Sequence, residues 1–186
     1  HLRIGRSPNE IFSPRIASQG ADLVLGCDFL VSGSEKTLSV IKPEHTKIIV
    51  NSYEFYTGDF TKNSDLIFPS LKIKQNIINL AGKNHTEFLD ATRLVTGLFG
   101  DTIVTNIFLL GYAFQKGFIP LECSSIEKAI EINGVSVEEN KLAFMWGRRS
   151  AFDKNKVQKL LSFDFDEFYE TEKVFHLDKT IQNRAE

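Results

Sequence analysis

The spacing of apolar residues changes character near residue 92. Before it, short apolar runs sit between polar ends: Leu23 to Leu25 between Asp22 and Gly26, "KIIVNS" over Lys47 to Ser52, and "EFLDAT" from Glu87. Runs this short, bounded by turn residues, are the pattern of strands buried on two faces. Between them lie stretches of helical period. One covers Leu30 to Ile41; the other, "PSLKIKQNIINLAG", carries Pro69 near its first turn, directs Leu71, Ile77, Ile78 and Leu80 inward, and ends at Gly82. The alternation predicts Asp22 to Gly26, Lys47 to Val50 and Glu87 to Leu89 as adjacent parallel strands joined by right-handed crossovers. The expected class is α/β, a three-layer Rossmann-like fold: a mostly parallel sheet with helices on both faces and a helical C-terminal half.

In that second half Ile103, Ile107, Leu110 and Phe114 fall at i, i+4, i+7 and i+11, while Val104, Phe108 and Gly111 cover another face. Apolar residues on two faces predict an enclosed helix. Two capping boxes follow, Ser124 with Glu127 and Ser136 with Glu139, each predicting a helix start, and Gly134 closes the first of these helices. From Phe163 the pattern breaks into "FDFDEFYETEKVFHLDK", acidic and aromatic together, as in a strap over another surface or a linker.

Composition narrows the function classes. With 186 residues, 42% hydrophobic, the chain can bury a substantial core. Lys+Arg 22 against Asp+Glu 24 leaves a net charge of −2, which removes any global pull toward nucleic acid or an anionic membrane. The longest apolar segment, from Thr102, is interrupted by Asn106, Gln115 and Lys116, a poor bilayer span. No basic-then-apolar leader opens the sequence, and Cys27 and Cys123 form no disulfide framework, so a reducing cytoplasm is expected. Neither cysteine has a C-x-x-C partner, so neither an iron-sulfur cluster nor a tetrahedral zinc is expected in this chain. His1, His45, His85 and His176 are scattered, and Asp164 with Asp166 lacks the glycine turn of a calcium loop.

The chemistry most open to question lies in "ADLVLGCDFLVSGSEKT", residues 21 to 37, where an apolar run enters a turn followed by Gly33, Lys36 and Thr37. A G-x-x-x-x-G-K-[ST] phosphate loop around Gly33 needs glycine at position 28 and lysine at 34; Asp28 and Ser34 stand there instead. What remains is a candidate pocket beyond the strand ends, where Gly26, Cys27, Asp28, Asn51 and Asp90 should gather, joined by Ser52 and Thr92. Two readings stay open. Those residues bind a small molecule or nucleotide, or the glycine turns the chain and the polar side chains satisfy helix N-termini. Arg148 and Arg149 at a helix end likewise allow an anion clamp or complement the helix dipole.

Several blocks share a resemblance: "SPRI" at Ser13 to Ile16, "GADLVLGCD", "VNSYEFYTGDFT", "FLDATRLVTGLFGDTIVTNIFLLGYAFQKGFIPL" and "AIEINGVSVEENKLAFMWGRR". Together they resemble the gamma domain of the 2-oxoacid:ferredoxin oxidoreductases, most of all the version within fused bacterial indolepyruvate ferredoxin oxidoreductases. The resemblance covers about Leu2 to Phe152, without the family's opening Gly-rich strand-turn. It implies an incomplete gamma-type domain over residues 1–152, and an acidic aromatic strap or linker over 153–186 that leads into the next domain. The implied parent activity is oxidative decarboxylation of a 2-oxoacid to an acyl-coenzyme A with electrons passed to ferredoxin. Thiamine diphosphate and iron-sulfur clusters then belong to other domains, with no cofactor and no catalytic residue in this chain, which alone is expected to be inactive. The implied partners are the other domains of the same enzyme, with ferredoxin and coenzyme A at the level of the assembly; neither nucleic acid nor membrane is among them. Asp22, Asn140, Phe144, Gly147 and Arg148 match positions of the gamma-domain motif. Asn140 is expected to satisfy backbone groups of the preceding "NGVSV" turn, and Gly147 to let helices approach closely. Because "HLRI" opens in mid-strand, Leu2 to Ile4 is expected to form an unpaired sheet edge, making the chain a homo-oligomer or marginally stable.

Overall fold

The computed structural model describes Ser7, residues 15–55 and 68–153, Asn155 and Val157. The fold is α/β. Three strands, β1 (Leu23–Gly26), β2 (Lys47–Asn51) and β3 (Thr86–Leu89), form a parallel sheet in the order β1-β2-β3. Val24 lies opposite Ile48 and Val50 opposite Phe88, so these four share one face of the sheet. Against that face pack Phe29, Ile41, Phe68, Ile73 and Ile77. Ile49 and Leu89, which point the other way, are buried as well. Neither face of β2 meets water, which is why its sequence reads as an unbroken apolar run.

The helical stretch expected from Leu30 to Ile41 is two short helices, α1 (Phe29–Ser32) and α2 (Glu35–Leu38). Gly33 ends the first and the Ser34 hydroxyl caps the second by accepting from the Thr37 amide at 3.4 Å. A local cap thus overrides the helical period there. Helix α3 (Ser70–Ala81) starts after Pro69 and stops at Gly82, as its ends predict. Its inward stripe is Ile73, Ile77 and Ala81, and Leu71 is 82% exposed. Leu71 sits in the first turn, and the i, i+4, i+8 row through Ile73 is the one that meets Phe29 and the sheet.

Contacts divide the chain into two compact units, His1–Asp90 and Ala91–Glu186. The second is helical: α4 (Ala91–Phe99), α5 (Thr105–Gln115), α6 (Cys123–Asn133) and α7 (Val137–Phe152). Phe108, Leu109, Gly111, Tyr112 and Ala113 are all buried, so α5 is enclosed as its two apolar faces predict, although Ile103 precedes the helix and is 77% exposed. Helices α5 and α7 cross almost backbone to backbone. A Cβ on Gly147 would lie 2.8 Å from the Phe108 carbonyl carbon and 3.0 Å from the Tyr112 nitrogen; one on Gly111 would lie 3.1 Å from the Phe144 Cα. Only hydrogen fits at either position. Ile126, Ile130 and Phe144 close the core beside this crossing, with Ile107, Leu110 and Phe114 packed on them.

Gly134 closes α6 with a φ of 72°, as expected. The first capping box is absent: Glu122 holds the N-cap of α6 and Ser124 is already inside the first turn, since the helix begins two residues early at Cys123. Ser136 does stand at the N-cap of α7, but in the left-handed region at φ 42°, where its side chain makes no capping bond. The expected edge strand at Leu2 to Ile4 and the strap from Phe163 to Leu177 lie outside the described residues. Among the described residues no helix is long and apolar enough to cross a membrane.

Candidate functional site

The parallel sheet brings Gly26, Cys27, Asp28 and Asn51 together beyond the carboxyl ends of β1 and β2, and Asp90 stands just past the end of the neighbouring β3. Their polar atoms are largely turned inward on the protein itself. Asn51, buried, donates from Nδ2 to the Cys27 carbonyl at 3.2 Å, while its Oδ1 accepts from the Tyr53 amide at 3.4 Å. The Asp28 carboxylate accepts from the Val31 amide at 2.8 Å and so caps α1. The Ser32 hydroxyl donates back to the Asp28 carbonyl. Gly26 gives that hydroxyl its space, since a Cβ there would lie 3.0 Å from the Ser32 Cβ and 3.2 Å from a Val50 methyl. Ser52 donates its amide to the Leu89 carbonyl at 2.9 Å, extending the sheet ladder.

The resemblance of residues 21 to 37 to a phosphate loop dissolves in the same way. A Cβ on Gly33 would meet Ile73 at 2.8 Å, so this glycine seats the α1–α2 break against α3. The Thr37 hydroxyl donates to the Val31 carbonyl at 2.8 Å. Glycine, serine and threonine here build a helix break. Burial pushes the Cys27 thiol above its ordinary range, which keeps it neutral and weakly nucleophilic.

Thr46, with no sequence signal of its own, is a fully buried polar anchor. Its hydroxyl donates to the Ala21 carbonyl at 2.6 Å and accepts from the Lys42 amide at 2.8 Å, tying the turn before β2 to the chain before β1. Asp22 and His45, both exposed, pair at 2.8 Å across the same junction. A threonine between a histidine and a lysine gives no hint that its hydroxyl will be enclosed.

In the helical unit, Asn140 donates from Nδ2 to the Val135 carbonyl at 3.0 Å, satisfying the turn before α7 as expected. Arg148 is held on three sides. Its Nε donates to Gln115 Oε1 at 3.1 Å, Nη1 reaches the Cys123 sulfur at 3.2 Å, and the guanidinium lies 5.3 Å from the Phe114 ring centre and 6.0 Å from that of Phe144. It thereby ties the ends of α5 and α6 to α7. The Cys123 thiol is pushed up by desolvation, an effect that the Arg148 charge opposes and the Glu127 carboxylate reinforces. Arg149 stacks on the Trp146 ring at 5.0 Å. Beside it opens a groove of about 650 Å³ lined by Met145, Trp146, Arg149, Phe152 and Val157. Nothing in the apolar spacing of "KLAFMWGRRSAF" shows this groove, because its far wall comes from Val157 and from Gln115 on α5.

Among the described residues no three His, Cys, Asp or Glu side chains come together as a metal site. No family model, no curated protein and no solved structure matches this chain.

Proposed function

We propose that this chain is a structural and interface domain of a thiamine-diphosphate-dependent 2-oxoacid ferredoxin oxidoreductase, with an aromatic 2-oxoacid such as indolepyruvate as the substrate of the whole enzyme. One observation carries the assignment of a scaffold role. The positions that match the gamma-domain motif on α7 are occupied with holding the helical unit together: Asn140 satisfies a turn, Phe144 fills the core, Gly147 allows the crossing and Arg148 ties three helices. At the strand ends, where a Rossmann-like sheet offers its ligand site, Asp28 and Asn51 are engaged in capping and bracing. In this reading thiamine diphosphate, the iron-sulfur clusters and the coenzyme A site belong to other domains, and the chain works in the cytoplasm as one part of an oligomeric enzyme.

The test has a positive and a negative arm. Tagged protein recovered from its native extract should bring with it an activity that reduces a viologen with indolepyruvate, dependent on thiamine diphosphate and coenzyme A. The purified chain alone should show none of that turnover, and its melting should be indifferent to coenzyme A, nicotinamide and flavin. A binding module using the strand ends would instead gain about 2.7 kcal/mol of stability from one of these ligands at a hundredfold excess over its dissociation constant. That gain, or turnover by the chain alone, would overturn the assignment.

A further inference from the structure

The turn between α6 and α7 joins an asparagine to a glycine, and no other asparagine of the chain is followed by glycine. Asn133 is the last residue of α6, and Gly134 takes the left-handed φ of 72° that ends the helix. Both are exposed, and the Asn133 side-chain amide has no hydrogen-bond partner among the described residues. A Cβ on Gly134 would meet nothing nearer than the Ile132 carbonyl oxygen at 4.0 Å, so this glycine is required by its backbone angle and not by a neighbour. Its amide closes α6 by donating to the Ile130 carbonyl at 3.3 Å, longer than the ordinary N–H···O range.

A loosely held backbone nitrogen thus stands next to an unheld carboxamide. Once the Gly134 N–H leaves the Ile130 carbonyl and the last residue of α6 unwinds, that nitrogen can attack the Asn133 Cγ; the new C–N bond closes a cyclic imide and the side-chain nitrogen leaves as ammonia. Water then opens the imide. Cleavage of the new N–Cγ bond leaves aspartate, and cleavage of the bond to the Asn133 backbone carbonyl leaves isoaspartate, whose main chain runs through the former side chain. The balance is one water gained and one ammonia lost, with no electron transferred. Glycine permits the attack because a Cβ on the following residue would crowd the nitrogen. Asn51, Asn79 and Asn140 are placed otherwise: the first donates to the Cys27 carbonyl, the second accepts from Gln75 at 2.6 Å, the third donates to the Val135 carbonyl, and each is followed by a residue that carries a Cβ.

We propose that Asn133–Gly134 is a site of spontaneous deamidation through a cyclic imide, and that its conversion loosens the α6–α7 hairpin. This modification goes beyond the assignment to an oxidoreductase and does not depend on it. Aspartate puts a negative charge at the C-terminal end of the α6 dipole, close to Glu131, which already engages Lys128 and Lys141. Isoaspartate lengthens the main chain of a turn that is closely specified, with Ser136 at φ 42° and the Asn140 side chain bracing the Val135 carbonyl at 3.0 Å. Either product works against the packing of Ile126 and Ile130 on Phe144, which the turn brings together.

The purified chain, aged at mildly alkaline pH and then digested, gives the test by mass spectrometry of the peptide that contains Asn133. That peptide should take the mass shift of –NH2 replaced by –OH and separate on chromatography into aspartate and isoaspartate forms. Conversion should speed up as pH rises, because the attacking nitrogen gives up its proton. Helix ends open at a cost near zero, so the rate should lie within about tenfold of that in a free peptide of residues 128–138. Asn133→Gln, whose side chain would have to close a larger ring, should not convert at this position, and its Tm should be the same before and after ageing. Aged wild type should melt below fresh wild type, and fresh Asn133→Asp should lie between the two. A rate more than about tenfold below that of the peptide, or aspartate with no isoaspartate, overturns the site. Aged wild type that melts together with aged Asn133→Gln overturns the loosening.

Discussion

The sheet unit and the helical unit both depend on glycine, but what stands against the glycine differs. At Gly33 the neighbour is a side chain, Ile73, whose two Cγ atoms would lie 2.8 and 2.9 Å from an added Cβ. At Gly111 and Gly147 it is the backbone of the facing helix: the Phe144 Cα and carbonyl in one case, the Phe108 carbonyl and Tyr112 nitrogen in the other. Backbone engaged in helical hydrogen bonds cannot step aside without moving the helix. The sheet unit therefore takes its specificity from burial on two faces and from polar side chains that tie its turns. The helical unit takes it from a crossing that leaves no room for any Cβ.

The widest expected gap between the two units comes from adding one methyl group to each. Gly147→Ala should cost about 3 kcal/mol or more, because overpacking here must displace backbone, whereas Gly33→Ala should cost about 1 to 2 kcal/mol as the Ile73 side chain is pushed aside. Denaturant midpoints of the two variants give the comparison. Equal losses would show that α5 and α7 can slide apart as easily as a side chain turns.

Removing a buried anchor of the sheet unit should come next. Thr46→Val keeps the shape but leaves the Ala21 carbonyl and the Lys42 amide unpaired, a loss of about 2 kcal/mol in the same measurement. The corresponding tie in the helical unit is more exposed, so Asn140→Ala should cost about 1 kcal/mol. Asp28→Ala, which removes the cap of the short helix α1, should also cost about 1 kcal/mol. If Asp28→Ala stabilised the chain instead, its carboxylate would be under strain at the strand ends, as expected of a residue kept for a ligand.

The smallest effect concerns pH and only the helical unit. Hydrogen bonds and charge from Lys141, at 2.9 Å, and Lys128, at 3.1 Å, hold the Glu131 carboxyl below its ordinary range. A carboxyl whose folded value is depressed adds stability above its unfolded value and loses it as pH falls through the folded one. Acid titration of melting should therefore show a slight loss through and below the carboxylate range that Glu131→Gln removes and added salt diminishes, as befits exposed ion pairs. An unchanged acid limb in Glu131→Gln would mean that the two lysines contribute nothing.

Much of this was legible in the chain. Short apolar runs between turn residues specified three parallel strands in their order, since burial on both faces leaves a continuous apolar mark that needs no partner to be recognised. Pro69, Gly82 and Gly134 marked helix ends for similarly local reasons, fixed φ and freedom from a Cβ. The inward face of α3 was legible at Ile77 and Leu80 but not in the first turn, because Leu71 and Ile73 are equally apolar and only the position of Phe29 and the sheet selects between them. Nor was the fate of the strand-end polar groups. Asp28, Asn51 and Thr46 carry the same atoms whether they bind a ligand or brace a turn, and what decides is which backbone amides and carbonyls the fold brings to hydrogen-bonding distance. Sequence alone determined where the three strands fall and where Pro69, Gly82 and Gly134 bound their helices, because propensity and burial period act over a few neighbouring residues. The tertiary structure decided which glycines meet backbone, which hydroxyls are enclosed and where the groove beside Trp146 opens, because each of those depends on atoms far apart in the chain.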